Sequence, residues 1–305
     1  MSKHIIMTGA TGLIGTRIYH ALRKRGDRVT VLTRNPDKTK KTFSDAERVL
    51  LWAPGVKGEW SSAMEGADAV IHLAGEPIAG GRWTDEYKKR IYDSRVQGTG
   101  EIVEAIGAAS EKPALLISAS GVGYYGDTGD TEVDEDSPPG DDFLAQTCVD
   151  WENEAHRATE HGVRVMISRQ GIVLAEEGGA LEKLVTPFKM FAGGPVGNGE
   201  QWFPWVHIDD VVGIYLHALD NSDVSGILNA VSPDLLRNRD FAIALGETLQ
   251  RPARFSVPGF VIKLALGEFG ETLLGGQRAH PVRTLESGYA FKYPALTKAL
   301  ADLLQ

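Results

Sequence analysis

The sequence predicts an α/β protein: a doubly wound parallel sheet with helices on both faces, followed by a small, mostly helical C-terminal lobe. Three observations predict it. Short apolar, β-branched runs recur at residues 3–8, 29–33, 69–73, 114–118 and 163–169. Helical stretches lie between them at 13–26, 85–109 and 143–161. After about residue 235 the pattern turns mostly helical, with helices at 241–249, 259–266, 268–274 and 296–304 broken by Pro252, Pro258, Pro281 and Pro294. Strands that alternate with helices imply βαβ units, whose parallel sheet is buried on both faces. The chain therefore divides into a sheet domain over 1–235 and a helical domain over 236–305.

The first strand runs into Met7-Thr8-Gly9-Ala10-Thr11-Gly12-Leu13-Ile14-Gly15, a GxxGxxG pattern that opens the first helix. Gly9 permits the tight turn, Gly12 lets a diphosphate approach the backbone, and Gly15 lets helix and strand pack closely. The helix N-terminus then offers unbonded N–H groups and a positive dipole end. This order makes the sheet Rossmann-type and assigns dinucleotide contacts to Gly9, Thr11, Gly12, Leu13, Ile14 and Gly15. The competing reading is a glycine-rich turn without a ligand. The first helix closes at Gly26, and the second strand leads to Thr33-Arg34-Asn35. NAD-specific folds place a carboxylate here to hold the ribose hydroxyls. None is present, and the Arg34 guanidinium suits a 2′-phosphate. Thr33 and Arg34 are therefore assigned to NADP(H), against the alternative of an arginine that contacts nothing.

The strand at 69–73 brings Leu73, Ala74 and Gly75 to its carboxyl end, where ligands of doubly wound sheets collect. The helix that follows carries Arg90 and Arg95, which lie about 140° apart around an ideal helix and cannot share one face without a bend. The strand at 114–118 runs on to Ser120, Tyr124 and Tyr125. Residues 127–142 are acidic, with Pro138 and Pro139, and read either as a substrate lid or as a plain solvated loop. The helix at 143–161 holds Cys148, an inert helix residue or a redox thiol. Val173 follows the strand at 163–169 and is placed beside the nicotinamide. Trp202, Phe203 and Trp205 form part of a pocket or pack in the core. His207-Ile208-Asp209-Asp210 reads as a strand-to-helix junction with Asp209 or Asp210 as the helix cap, or as a metal or catalytic group.

Composition narrows the function. The 305 residues, 42% hydrophobic and 24% charged, can bury a large core without a disulfide or metal staple. A net charge of −9 disfavours nucleic acid as a partner. Cys148 is the only cysteine, which forbids an internal disulfide and suits a reducing compartment. No apolar run has the length of a membrane span, and no apolar leader precedes the first strand. The expectation is a cytoplasmic protein with no membrane or nucleic-acid partner. The eight histidines show no ligand spacing, so no metal is expected.

With Gly9–Gly15, the segments His72-Leu73-Ala74-Gly75, Ser118-Ala119-Ser120, Tyr125-Gly126 and Trp205-Val206-His207-Ile208-Asp209-Asp210-Val211 resemble the extended short-chain dehydrogenase/reductases. More narrowly, the chain resembles the atypical branch labelled "epimerase family protein", which carries a C-terminal domain of unknown function. Gly193-Gly194-Pro195, Phe203-Pro204-Trp205 and Leu274-Gly275-Gly276-Gln277-Arg278 carry that narrower likeness. In the wider superfamily, a Ser, a Tyr-x-x-x-Lys pair and a helix Asn perform proton transfer, the lysine lowering the tyrosine pKa. By resemblance Ser120 matches the serine, but Leu144 falls at the tyrosine, Cys148 at the lysine and Arg95 at the asparagine. The resemblance implies that Arg95, and also Arg90, contacts the cofactor.

A leucine cannot transfer a proton, so catalysis, if any, falls to Ser120, Tyr124 or Tyr125. Packing is the competing role for Tyr125. Two readings follow. One is an NADP(H)-dependent oxidoreductase or epimerase that acts on an unidentified small molecule as a monomer or homodimer. The other is a catalytically weak NADP(H)-binding regulator or redox sensor.

Overall fold

The structure, a computed structural model, describes residues 2–305. β1 (His4–Thr8) leads through the glycine turn to α1 (Leu13–Lys24), and β2 (Arg28–Thr33) follows. α2 (Pro36–Thr42) and β3 (Arg48–Leu51) come next. The sequence reading omits both, because α2 is a lysine-rich turn with no apolar period and β3 is a half-buried edge strand. α2 forms nonetheless, because Pro36 opens it and the Asn35 side chain accepts from Lys38 N.

β4 (Ala69–His72) precedes the long α3 (Asp85–Ala108), capped by Thr84. β5 (Leu115–Gly121), β6 (Glu132–Val133) and α4 (Phe143–His156) follow, with Asp142 capping α4. β7 (Arg164–Gln170), β8 (Ile172–Leu174), α5 (Gly179–Lys189), β9 (Trp205–His207), α6 (Ile208–Asp220) and β10 (Gly226–Ala230) complete the sheet region. The remainder holds α7 (Asn238–Leu249), α8 (Gly259–Leu266), α9 (Glu268–Thr272), β11 (Arg278–Ala279), α10 (Val282–Glu286) and α11 (Leu296–Leu304).

Seven strands form one sheet in the order β10-β7-β5-β4-β1-β2-β3, every pair parallel. The chain reverses direction across the sheet between β1 and β4, the crevice where such folds bind ligands. Successive side chains of each strand enter opposite cores. Ile5, Met7, Ile71 and Ile117 pack with Ile18 and Leu22 of α1 and Val211 and Ile214 of α6. Ile6, Val70 and Leu116 pack on the other face with Ile102, Val103 and Ile106 of α3.

The helical region does not have a core of its own. Leu181, Val185 and Phe188 of α5 share one apolar cluster with Phe241 and Leu245 of α7, Leu300 of α11, and Phe203 and Trp205. The acidic stretch at 127–142 is fastened to the C-terminal region. β6 pairs with β11, Thr128 N donates to Gly276 O at 3.0 Å, and Arg278 pairs with Glu132 at 2.9 Å. It is therefore a clamped connection in this structure.

The cap of α6 is His207, whose Nδ1 accepts from Asp209 N, not Asp209 or Asp210. Asp210 is instead a fully buried tie to the C-terminal segment. Its carboxylate accepts from Lys292 N at 2.6 Å, Tyr293 N at 3.0 Å and Tyr289 Oη at 3.0 Å. Removing it strands buried donors, so Asp210→Ala is expected to lower the unfolding free energy by about 3 kcal/mol. Asp209→Ala, which removes only the exposed ion pair with Lys292, costs under about 1 kcal/mol. Urea denaturation of the two variants measures the difference.

Candidate functional site

The turn after β1 is built backbone against backbone. Gly9 has φ +66°, and a Cβ there would stand 2.7 Å from the Leu73 carbonyl carbon and 2.9 Å from Ala74 N. A Cβ on Gly15 would collide with the Gly9 carbonyl. Both positions require glycine, one for its left-handed conformation and both for close approach. Thr8 fixes the other side of the contact. Its Oγ1 accepts from Leu73 N at 3.1 Å and Ala74 N at 3.2 Å. With both acceptor positions taken, its proton goes to His72 Nδ1, 2.8 Å away. Burial pushes the His72 pKa down to about 4, so this ring stays neutral. Thr8 was not singled out from the sequence, although its place just before Gly9 at the strand end is the signal that finds it.

α1 opens on Gly12, with no side-chain cap and no acidic residue in its first turn. α2, α3, α4 and α6 have capping side chains, whereas α5 and α8 to α11 do not, so it is the glycine turn before α1 that sets its start apart. The first-turn N–H groups of α1 are left for an anion. Thr11 and Gly12 are exposed and Leu13 and Ile14 are half-buried around this opening. Gly179, at the start of α5, approaches both Leu13 and the Val173 carbonyl, so the turn, Val173 and α5 lie together.

At the end of β2, Thr33 Oγ1 accepts from Asn35 N and bonds Thr39 Oγ1. The Arg34 side chain is 75% exposed, with Nη1 3.7 Å from Glu76 Oε2. Arg95 reaches the same region from α3. Its Nη1 donates to Glu76 O at 2.9 Å and to Ile91 O at 3.1 Å, and its guanidinium carbon lies 3.1 Å from where a Gly75 Cβ would stand. The structure thus gathers Leu73, Ala74, Gly75 and Arg95 beside the turn. Arg90 remains on an exposed face, paired with Glu86 at 3.3 Å and stacked on Tyr87.

Ser120 and Tyr125 belong to a buried polar network. Ser120 Oγ donates to Glu152 Oε1 at 2.6 Å. Arg169 grips that carboxylate through Nε at 2.9 Å and Nη2 at 2.8 Å, and donates through Nη1 to Tyr125 Oη at 2.9 Å. Tyr125 donates in turn to Asn229 Oδ1 at 2.8 Å, and Asn229 N donates to Glu135. Burial, opposed by Arg169, pushes the Tyr125 phenol up to about 12. Burial with Glu152 nearby pushes the Cys148 thiol up to about 11, so this residue is a thiol at neutral pH and a poor nucleophile. Tyr124 stacks on Arg169, 3.3 Å from ring centroid to guanidinium carbon. It lines a cavity of about 630 Å³ between α4, β7 and β10 that contains none of the residues assigned to a dinucleotide. Leu144 packs among Trp83, Tyr87, Phe143 and Phe269. Glu152 and Arg169 could not be paired by spacing, since they lie 17 positions apart on a helix and a strand.

Among the described residues, no group of three His, Cys, Asp or Glu side chains is placed to hold a metal ion. The donor set instead suits a diphosphate linked to a phosphorylated ribose: an uncapped helix N-terminus, a turn that only glycine fills, and an exposed guanidinium at the end of the adjacent strand.

The model of the NAD dependent epimerase/dehydratase family matches residues 5–230, and that of a domain of unknown function (DUF1731) matches residues 257–303. The chain is 40% identical to the Arabidopsis thaliana "Epimerase family protein SDR39U1 homolog, chloroplastic", covering 99% of this chain and 86% of the relative. It is 35% identical to Bacillus subtilis "Epimerase family protein YfhF", over 99% of this chain and 98% of the relative. The crystal structure of human epimerase family protein SDR39U1 with NADPH superposes with a TM-score of 0.86, at 35% identity and 98% coverage of each chain.

The buried network gives a test of its own. Glu152→Ala leaves Arg169 buried without its counter-charge and is expected to destabilise the fold by about 3–5 kcal/mol. Ser120→Ala removes one hydrogen bond to a carboxylate that keeps its arginine, at a cost of about 1–3 kcal/mol. Denaturant titration measures both.

Proposed function

The chain belongs to the NAD-dependent epimerase/dehydratase family, and from that premise we propose that it binds NADP(H) and acts on a small molecule through an atypical active site. The observation that carries the reading is the Gly9–Gly15 turn, where bare backbone and an uncapped α1 N-terminus face the crevice between β1 and β4. The human relative crystallised with NADPH supports it. Gly9, Thr11, Gly12, Leu13, Ile14 and Gly15 hold the diphosphate. Thr33 and Arg34 hold the 2′-phosphate, Leu73, Ala74 and Gly75 flank the adenosine, and Arg95 and Val173 hold the nicotinamide end. Arg90 would have to leave Glu86 to take part.

The coenzyme supplies hydride at the nicotinamide; the residues of this chain bind it, orient it and exclude water. Proton transfer is the open half of the chemistry. Leu144 stands at the matching tyrosine position, and the Ser120 and Tyr125 hydroxyls already donate to Glu152 and Asn229. Of the three hydroxyls assigned to catalysis, Tyr124 is the one without a hydrogen bond among the described residues. It stacks on Arg169 and lines the cavity between α4, β7 and β10, apart from the residues assigned to the coenzyme, so it would have to turn towards the nicotinamide to donate a proton. The same commitment of Ser120 and Tyr125 favours a second reading, a coenzyme-binding regulator with little turnover. A cytoplasmic location and a monomer or homodimer belong to both readings. The net charge of −9 disfavours nucleic acid as a partner, and among the described residues no helix is long and apolar enough to cross a membrane.

Calorimetric titration of the apoprotein tests the coenzyme assignment. NADPH is expected to bind, and Arg34→Ala to weaken it about tenfold or more while NADH changes less than about twofold. No uptake of either coenzyme at millimolar concentration would sink the reading. NADPH oxidation screened over carbonyl compounds, with Tyr124→Phe as control, separates enzyme from regulator.

A further inference from the structure

We propose that Glu76 is a resident counter-ion for Arg34 and sets how strongly this chain prefers a 2′-phosphorylated coenzyme over its unphosphorylated form. The inference rests on the coenzyme reading above and adds to it a residue to which the reading gives no role. Arg34 follows β2 and Glu76 follows β4, and β1 runs between those strands. Neighbouring strands lie about 4.8 Å apart, so the two backbones stand roughly 10 Å from each other. The 3.7 Å contact between Arg34 Nη1 and Glu76 Oε2 therefore arches over the carboxyl end of β1, above the turn that begins at Gly9. In a dinucleotide seated on that turn, the adenosine ribose occupies this ground.

The two partners are held very differently. The Glu76 backbone is pinned on both sides, its N donating to Ser94 Oγ at 2.9 Å and its carbonyl accepting from Arg95 Nη1 at 2.9 Å. Ser94 and Arg95 both belong to α3, so the helix delivers the carboxylate to a fixed place. The Glu76 side chain is mostly buried, whereas the Arg34 side chain is 75% exposed. The mobile member is the arginine. A 2′-phosphate that binds Arg34 competes with Glu76 for the guanidinium, whose contact with the carboxylate is an ion pair at 3.7 Å without a hydrogen bond, and sits near a carboxylate of like charge. The exchange is favourable, because an arginine–phosphate pair is stronger than an exposed arginine–carboxylate pair. Part of the phosphate's binding energy is nevertheless used to break the existing pair. An unphosphorylated coenzyme leaves the Arg34–Glu76 contact intact and bears no such cost. Glu76 thus narrows the preference that Arg34 creates.

The test is calorimetric titration of NADPH and NADH into the full chain, Glu76→Gln, Arg34→Ala and the double variant at one ionic strength. Glu76→Gln keeps size and one acceptor oxygen while removing charge, and thermal melts of all four proteins check folding. Glu76→Gln is expected to tighten NADPH roughly two- to fivefold, the range set by an exposed ion pair, with NADH affinity unchanged. In the Arg34→Ala background the gain shrinks, because the pair it releases is already broken and only the phosphate–carboxylate repulsion is left to relieve. Added salt reduces the gain, as screening requires. An unchanged NADPH to NADH ratio in Glu76→Gln, or a gain that is undiminished without Arg34, overturns the proposal while leaving the coenzyme reading in place. Failure of the unsubstituted chain to bind either coenzyme overturns both.

Discussion

The approach of one stretch of backbone to another, at the turn after β1, positions everything in the site. Gly9 lies against Leu73 and Ala74, Gly15 lies against Gly9, and no side chain fits in either gap. The Thr8 hydroxyl holds the far side by accepting from two successive N–H groups and donating to a neutral His72. This contact sets where α1 begins and where its N-terminus points. It also fixes the end of β4, and hence the places of Gly75 and of Glu76, whose carbonyl is bonded by Arg95. Van der Waals contact between backbones has no rotamer to relax, so a change of even one methyl group there displaces a helix, not merely a side chain.

A second constraint acts beside the first. The chain Ser120–Glu152–Arg169–Tyr125–Asn229–Glu135 runs through the interior from α4 to the C-terminal segment, where Arg283 N donates to Glu135. Burial alone would lower the Arg169 pKa, but the bidentate Glu152 carboxylate more than compensates and raises it. The Arg169 cation therefore keeps its charge in the interior. Such a network is stable only when fully satisfied. Its demand for donors commits the Ser120 and Tyr125 protons to Glu152 and Asn229.

The parts of this molecule that obey periodic or local rules were legible in the sequence. The glycine turn, the buried strands and the boundaries of α8 and α11 follow from backbone conformation and apolar spacing, which neighbouring residues set. α2 and β3 were not legible, since their formation depends on a cap and an edge position and not on an apolar pattern. The cap of α6 was misassigned to Asp209 or Asp210 because histidine is an unusual cap, while Asp210 is taken by donors some 80 positions away. Arg34 could be named from its place after β2. Glu76 could not, because the contact that gives it meaning spans two strand intervals and 42 positions of chain.

The departures from the superfamily pattern are connected by one displacement of charge. In that pattern a lysine on the helix after β5 supplies the positive charge beside the reactive phenol. By resemblance the matching position on α4 is Cys148 and the phenol position is Leu144, both of them apolar side chains. Arg95, on the adjacent α3, stands close enough to Cys148 that each perturbs the other's ionisation. By that resemblance the cation whose charge reaches Cys148 is a guanidinium on the packed neighbour helix and not an ammonium on α4. An arginine keeps its proton throughout the range in which a lysine can be tuned, so it cannot relay protons. It can donate hydrogen bonds, as it does to the Glu76 and Ile91 carbonyls. A site arranged this way retains the means to hold a coenzyme and loses the tyrosine–lysine means of moving a proton. Its chemistry, if it turns over, must take its proton from elsewhere than α4.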